Sequence, residues 1–407
     1  MKQNRIRLIS FPIFVLIAVL AFALIQTMVF GNDFSEKAKT SLEKETVQRG
    51  IIILVEFPDV KHDVVDRDFV QNRFSNRLNS YVKEMSYDKV SLGIDVTKRW
   101  YTMPKSISQY RISSRNLEVD RSRVRRLIDD ALDAADEEVD FSEYSFAAIF
   151  LGAKVAEYGM VGLCGYPGML GWSTVDALKT KSGQPVKGGM AIFTFQAHLG
   201  TLFHDIAHIL GGVKGGKRMV PCLYDHDLQA KPGPMRETFV DSIINMGFWD
   251  PMSCHFYKRD IPPPGISSWT KMRLDWIDQS KIKVIKPGQE AEVLLGPLED
   301  GSSETLVVKI PISETTYYLI ENRQPVGFDR NLPGSGVLIM YADDNIPECR
   351  YGKAPVKLMN ANPSVPHLEG AAFDVGGKDS FQDNKNKIRI QLKEKIAGSY
   401  KILISSL

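Results

Sequence analysis

Four cysteines in 407 residues are too few for a disulfide scaffold and allow two bridges at most. Charge of one sign is missing as well. The 51 Lys plus Arg and 49 Asp plus Glu leave a formal charge of +2, so no basic field points to nucleic acid and no acidic tail to a solvating segment. The chain has no internal repeat, no low-complexity tract and no G-x-x-x-x-G-K-[ST] phosphate loop. What is present is globular usage, with 43% hydrophobic, 25% charged and 10% aromatic residues, enough for one large domain or two to three ordinary ones.

One long hydrophobic run stands out. Lys2, Arg5 and Arg7 precede an uncharged stretch from Leu8 to Phe30 that is long enough to cross a bilayer as a helix. Residues 1–31 therefore read as a signal peptide or a transmembrane anchor, with Val29 and Gly31 at the spacing a signal peptidase recognises. Either reading expects the remainder, from Asn32, outside the cell, secreted or held at the membrane by its N-terminal helix. Residues 32–48 are polar and read as a linker, 49–287 as the main domain and 288–407 as a β-rich region.

Within the main domain, Gly50 to Phe57 reads as a buried strand, Phe69 to Val82 as a helix, Val90 to Val96 as a strand and Arg121 to Ala135 as a second helix. Ser145 to Leu151 is a further strand, Gly152 to Gly189 reads as irregular, and Phe193 to Leu210 reads as a helix stopped by Gly211-Gly212. Irregular chain is expected up to Asp260, then a helix around Trp269 to Trp276. Six short strands follow between Glu290 and Ile404. The fold class expected from this alternation is α+β with a mixed sheet.

The chemistry concentrates in Leu202-Phe-His204-Asp205-Ile-Ala-His208-Ile-Leu-Gly211. Histidines at i and i+4 lie one turn apart on one helix face, so both imidazoles can reach one metal ion, with zinc the natural candidate. Five of the seven histidines, His198, His204, His208, His226 and His255, fall within about 60 residues. In H-E-x-x-H the Glu is the general base for zinc-bound water. Here Asp205 holds that place with one methylene less reach, and misplacement of about 1 Å can cost on the order of 10²-fold in rate.

Several ordered motifs resemble the immune inhibitor A family of zinc metalloproteases. They are Leu54-Val-Glu-Phe-Pro-Asp59, Tyr81-Val-Lys-Glu-Met-Ser-Tyr-Asp-Lys-Val90, Val96-Thr97 with Trp100-Tyr101, and Asp140-Phe-Ser-Glu-Tyr144. Beyond the helix come Gly247-Phe-Trp-Asp-Pro-Met252-Ser253, Ser268 to Ile277, Tyr318-Leu-Ile-Glu-Asn-Arg-Gln324, Gly327-Phe-Asp329 and Leu332-Pro-Gly-Ser-Gly336. The resemblance covers roughly residues 50 to 345. It implies a zincin-like metalloprotease domain that hydrolyses proteins or peptides, zinc on His204 and His208, and Met252 in the turn beneath the site. It also implies a frequent calcium ion, for which Asp343-Asp344-Asn345 supplies oxygen donors.

The third ligand departs from the family pattern. Where the family continues with Pro-Asp-Leu-Tyr-Asp, this chain inserts Gly211 to Val220 and then has Pro221-Cys222-Leu-Tyr-Asp225, with Cys222 in the ligand's place. A metal-bound thiol is deprotonated, so His204, His208 and Cys222 form the expected set, with Asp225 and His226 as alternatives if the register shifts. A disulfide from Cys222 to Cys164 or Cys254 is the competing reading, and Cys254 and His255 are further metal neighbours. Lys214, Lys217 and Arg218 make the insertion a flexible, basic flap beside the cleft. Three functions follow: a zinc-dependent endopeptidase, slowed by Asp205; an inactive zincin-fold protein that binds peptides or surface partners; or a cell-surface adhesion module in which the β-rich region from about residue 288 does the work.

Overall fold

The β-branched run at the start of the domain forms β1 (Thr46–Glu56), whose Ile51, Ile53 and Val55 face one apolar layer while Ile52 and Leu54 face another. Alternation of side chains along a strand buried on both faces produces this division. The computed structural model describes residues 45–112, 119–171, 178–230 and 235–407. β1 runs parallel to β2 (Val90–Val96), to β3 (Tyr101–Thr102) at its end and to β4 (Phe146–Leu151). β5 (Gly162–Tyr166) is antiparallel to β6 (Met190–Thr194), which is parallel to β4, giving the order β2-β1-β4-β6-β5 with β5 on the edge.

On one face lie α1 (Arg67–Gln71), a π-helical turn at Asn72–Leu78 and α2 (Asn79–Met85), which bury Phe74, Leu78, Tyr81 and Val82 in the layer shared with Ile52 and Leu54. The opposite face is covered by α3 (Arg121–Ala135), capped by Asp120 and burying Val124, Leu127, Ile128 and Leu132. The stretch 152–189, expected to be irregular, contains α4 (Val155–Tyr158) and β5. The next helix starts later than expected, as α5 (Leu199–Gly211), because Met190–Thr194 is taken into the sheet as β6. A short apolar run fits either state by periodicity, and strand pairing on both sides decides it.

A hairpin of β7 (Val213–Lys214) and β8 (Lys217–Arg218) follows, then α6 (His226–Gln229), α7 (Met235–Ser242) and α8 (Ser268–Arg273). The remainder is two sheets. β9 (Ile282–Val284), β11 (Val307–Pro311), β12 (Thr316–Arg323), β13 (Gly336–Asp343) and β14 (Val356–Leu358) form one. β10 (Ala291–Leu295), β15 (Ser380–Asp383), β16 (Ile388–Ile396) and β17 (Ser399–Ser406) form the other. Between them pack Val308, Ile320, Ile339, Ile390 and Ile402, whereas Leu319, Leu338 and Met340 turn to the layer that also holds Phe203 and Trp249. The chain from Thr46 to Leu407 is one compact unit of α+β class with mixed sheets.

The expected localisation by a membrane-anchoring N-terminal helix is corrected. No helix among the described residues is long and apolar enough to cross a membrane. The 15-residue α3, about 22 Å long, falls short of a hydrocarbon core of about 30 Å and carries a charged face. The run Leu8 to Phe30 lies outside the described residues.

Candidate metal centre

α5 is anchored at its first turn by an unusual cap. His198 Nδ1 accepts from the Gly200 N–H at 3.0 Å while its Nε2 side bonds the Ile261 carbonyl at 2.9 Å. Gly200 is required there, because a Cβ would overlap the His255 carbonyl oxygen. Gly200→Ala is expected to push the 255 segment off α5 and lower stability by about 1–3 kcal/mol, read as a lower urea midpoint at unchanged m-value.

One and two turns further on, His204 and His208 are buried in the wall of a cleft of about 1170 Å³. His204 Nδ1 bonds the Pro251 carbonyl at 3.0 Å and His208 Nδ1 the Val220 carbonyl at 2.6 Å. Each Nδ1 therefore carries a proton, which leaves Nε2 as the ring atom that can ligate. Both Nε2 atoms lie 3.5 Å from Cys222 Sγ. The Cys222 segment is pinned in turn, since the Leu223 N–H donates to the Met252 carbonyl at 2.8 Å. Buried Asp250 holds the Met252 turn by accepting from the Met252 N–H, the Ser267 N–H and hydroxyl, and the Thr270 hydroxyl, at 2.6–2.9 Å.

The donor set fits a tetrahedral metal. Bonds of about 2.05 Å to nitrogen and 2.3 Å to sulfur at a tetrahedral angle separate N and S by about 3.6 Å. That matches the two observed separations. A thiol proton could bridge sulfur to only one of the two nitrogens, whereas a cation satisfies all three atoms. Among the described residues this is the set of three or more His, Cys, Asp or Glu side chains whose ligand atoms converge so closely.

Electrostatics agree with that geometry. Burial disfavours the Cys222 thiolate, yet His208, Arg218 and His204 around it hold its pKa well below the ordinary thiol value. Burial and Arg218 push His208 down to about 4, against the pull of Cys222. All four cysteines are free, so the bridge from Cys222 to Cys164 or Cys254 is overturned.

Asp225 is committed elsewhere, and His226 is shared between Glu348 and the Cys222 sulfur. Asp225 caps α6, accepting from Asp227 and Leu228 N–H groups at 3.0 and 3.1 Å, and takes the Gly352 N–H at 2.9 Å. His226 Nε2 faces Glu348 at 3.3 Å. His255 meets the Thr201 hydroxyl at 3.0 Å and its ring packs against that of His204. Met252 is fully buried beneath the site. Among the expected calcium donors, Asp344 accepts from Arg273 at 2.7 Å and from the Tyr317 hydroxyl at 3.0 Å, while Asp343 accepts from the Asn345 N–H at 2.9 Å.

No family model matches the chain, and no curated protein matches it. The geometry must carry the chemical reading. Asp205 lines the cleft beside the two histidines, with its carboxylate against β5: a Cβ on Gly162 would come within 2.9 Å of Oδ2. Burial raises its pKa to about 7, between the proton-holding and proton-accepting states at neutral pH.

The insertion differs from the expected flap. Gly215 and Gly216, at φ 58° and 75°, make the two-residue turn that a tight hairpin requires, and at the hairpin's base the Met219 N–H bonds the Gly212 carbonyl at 3.0 Å. Lys217 faces solvent and Arg218 turns inward. Arg218 and its partner Glu348 stand 130 positions apart, so no sequence spacing could have joined them.

Proposed function

We propose that this protein is a zinc-dependent endopeptidase with a zincin-like fold, related to the immune inhibitor A family and acting on proteins or peptides. The observation that carries this reading is the convergence of His204 Nε2, His208 Nε2 and Cys222 Sγ on the wall of an open cleft. Three protein ligands with one position left for water or substrate is the arrangement of catalytic rather than structural zinc.

Zinc, when bound, supplies Lewis acidity toward a carbonyl oxygen and lowers the pKa of a water. The chain's own groups do the rest. β5 is an edge strand whose Gly162, Leu163 and Cys164 line the cleft, so an extended peptide can pair along it as an added strand. Asp205, beside that edge, accepts a proton from the attacking water and returns it to the leaving amine. The apolar lining from Phe239, Phe248 and Phe256 accommodates side chains of the bound peptide and limits access of bulk water.

The test is hydrolysis of an unstructured protein such as casein by the zinc-loaded full chain. Asp205→Asn, which keeps shape but cannot accept the proton, is expected to lower kcat by about 10²-fold or more with metal content unchanged. Equal rates for both would remove Asp205 from the mechanism.

One observation favours a second reading. Asp205 is a methylene shorter than Glu and is packed against β5, which fits a metal-bearing protein that binds peptides without cleaving them. Asp205→Glu separates the two. Increased hydrolysis supports the peptidase, and peptide binding with no turnover in either form supports the binding protein.

A further inference from the structure

The chain departs from the family pattern twice within a dozen residues: Cys222 stands in the third-ligand place, and an insertion precedes it. The structure joins these departures. Along β8 the alternation that exposes Lys217 sends Arg218 inward, where its side chain is only 6% exposed. Arg218 Nη2 lies 3.8 Å from Cys222 Sγ. Glu348 clamps the same guanidinium, accepting from Nε at 3.3 Å and from Nη2 at 3.2 and 3.1 Å. Glu348 also faces His226 Nε2 at 3.3 Å, which ties α6 into the cluster.

We propose that Arg218 is a positioning residue of the metal centre: clamped by Glu348, its guanidinium fixes the Cys222 sulfur where His204 and His208 converge and withdraws charge from the metal–sulfur bond. This inference rests on the metal-centre reading above. The physical argument has two parts. Burying a guanidinium is costly unless charge and hydrogen bonds compensate, and Glu348 with the sulfur provides both. A thiolate also donates more charge to a metal than a carboxylate does, which weakens the Lewis acidity that hydrolysis needs, and a hydrogen bond to sulfur offsets that donation. The planar fork matters because a two-point grip on Glu348 fixes where Nη2 sits, which a lysine ammonium cannot do. The insertion thus carries the cation that a cysteine ligand calls for.

The experiment uses the full chain, stripped with a chelator and titrated with Co(II), whose sulfur-to-metal charge-transfer absorption reports directly on Cys222. The unmodified protein should bind about one cobalt per chain with that band present, and His208→Ala should lose both. Arg218→Met is expected to bind cobalt about 10- to 100-fold more weakly, with the band moved to longer wavelength. Arg218→Lys should return the band toward its original position while affinity stays low. Glu348→Gln, which loosens the clamp but leaves Arg218 in place, provides the same comparison if Arg218→Met does not fold. A merely structural Arg218 would leave the band unmoved, and unshifted bands with unchanged affinity in Arg218→Met or Glu348→Gln would overturn the inference alone. No cobalt uptake by the unmodified chain would instead overturn the metal-centre reading, and this inference with it.

Discussion

Zinc-loaded protein carrying His208→Ala is expected to lose its metal and, with it, hydrolysis by more than about 10³-fold. The reason is the economy of the site. In the proposed site three ligand atoms would hold the ion, and two of them come from one helix one turn apart, so removing either would leave a pair that cannot retain zinc against a chelator. The substitution also frees the Val220 carbonyl, now bonded to His208 Nδ1 at 2.6 Å, and so loosens the segment that delivers Cys222. Metal content measured after gel filtration should be about one zinc per chain for the unmodified protein and close to none for His208→Ala. Cys222→Ser should behave alike, because a serine hydroxyl stays neutral where the thiol ionises. Asp225→Asn should keep the metal, since the Asp225 carboxylate caps α6. Retention of zinc by His208→Ala, or its loss in Asp225→Asn, would show that the ion sits elsewhere.

The largest effect on stability is expected for Arg323→Met, about 3–5 kcal/mol in urea unfolding. Arg323 is fully buried and uses every guanidinium N–H. Nε and Nη2 grip Asp329 at 2.6 Å each, Nη1 reaches Glu321 at 3.0 Å and the Trp249 carbonyl at 3.2 Å, and Nη2 also reaches the Gly265 carbonyl at 2.9 Å. Taking the cation away leaves two carboxylates and two carbonyls buried without their donor, which costs far more than the pairing itself contributes. Arg323→Met combined with Asp329→Leu should therefore recover part of the loss. The effect reaches the metal site, because Trp249 and Gly265 flank the turn whose Pro251 carbonyl orients His204. Weaker zinc retention should accompany the lower urea midpoint. An unchanged midpoint in Arg323→Met would mean that the surrounding carboxylates and carbonyls do not depend on it for their donors.

Much of the scaffold was legible from local pattern. The 3.6-residue spacing in Arg121–Ala135 and the alternation in Val90–Val96 are properties of the segments themselves, and their boundaries agree with the structure. Strands near the C-terminus were placed within a few residues for the same reason. Met190–Thr194 and Gly162–Tyr166 were not, because a five-residue apolar or Gly-containing stretch becomes a strand only through its neighbour. The Gly215-Gly216 pair signalled a turn, yet whether it closed a rigid hairpin or a loose flap depended on where Arg218 found its partner.

At the centre itself, sequence alone determined that His204 and His208 share one helix face and that Cys222 is the nearest strong ligand to follow them, since side-chain direction along a helix is local geometry. Only the tertiary structure decided that Cys222, rather than Asp225 or His226, stands 3.5 Å from both imidazoles, that its thiol is unbridged, and that Arg218 and Glu348 lie behind it. Those choices are made by contacts between segments as much as 130 residues apart, where hydrogen bonds and buried charge must be satisfied together and no spacing along the chain records the outcome.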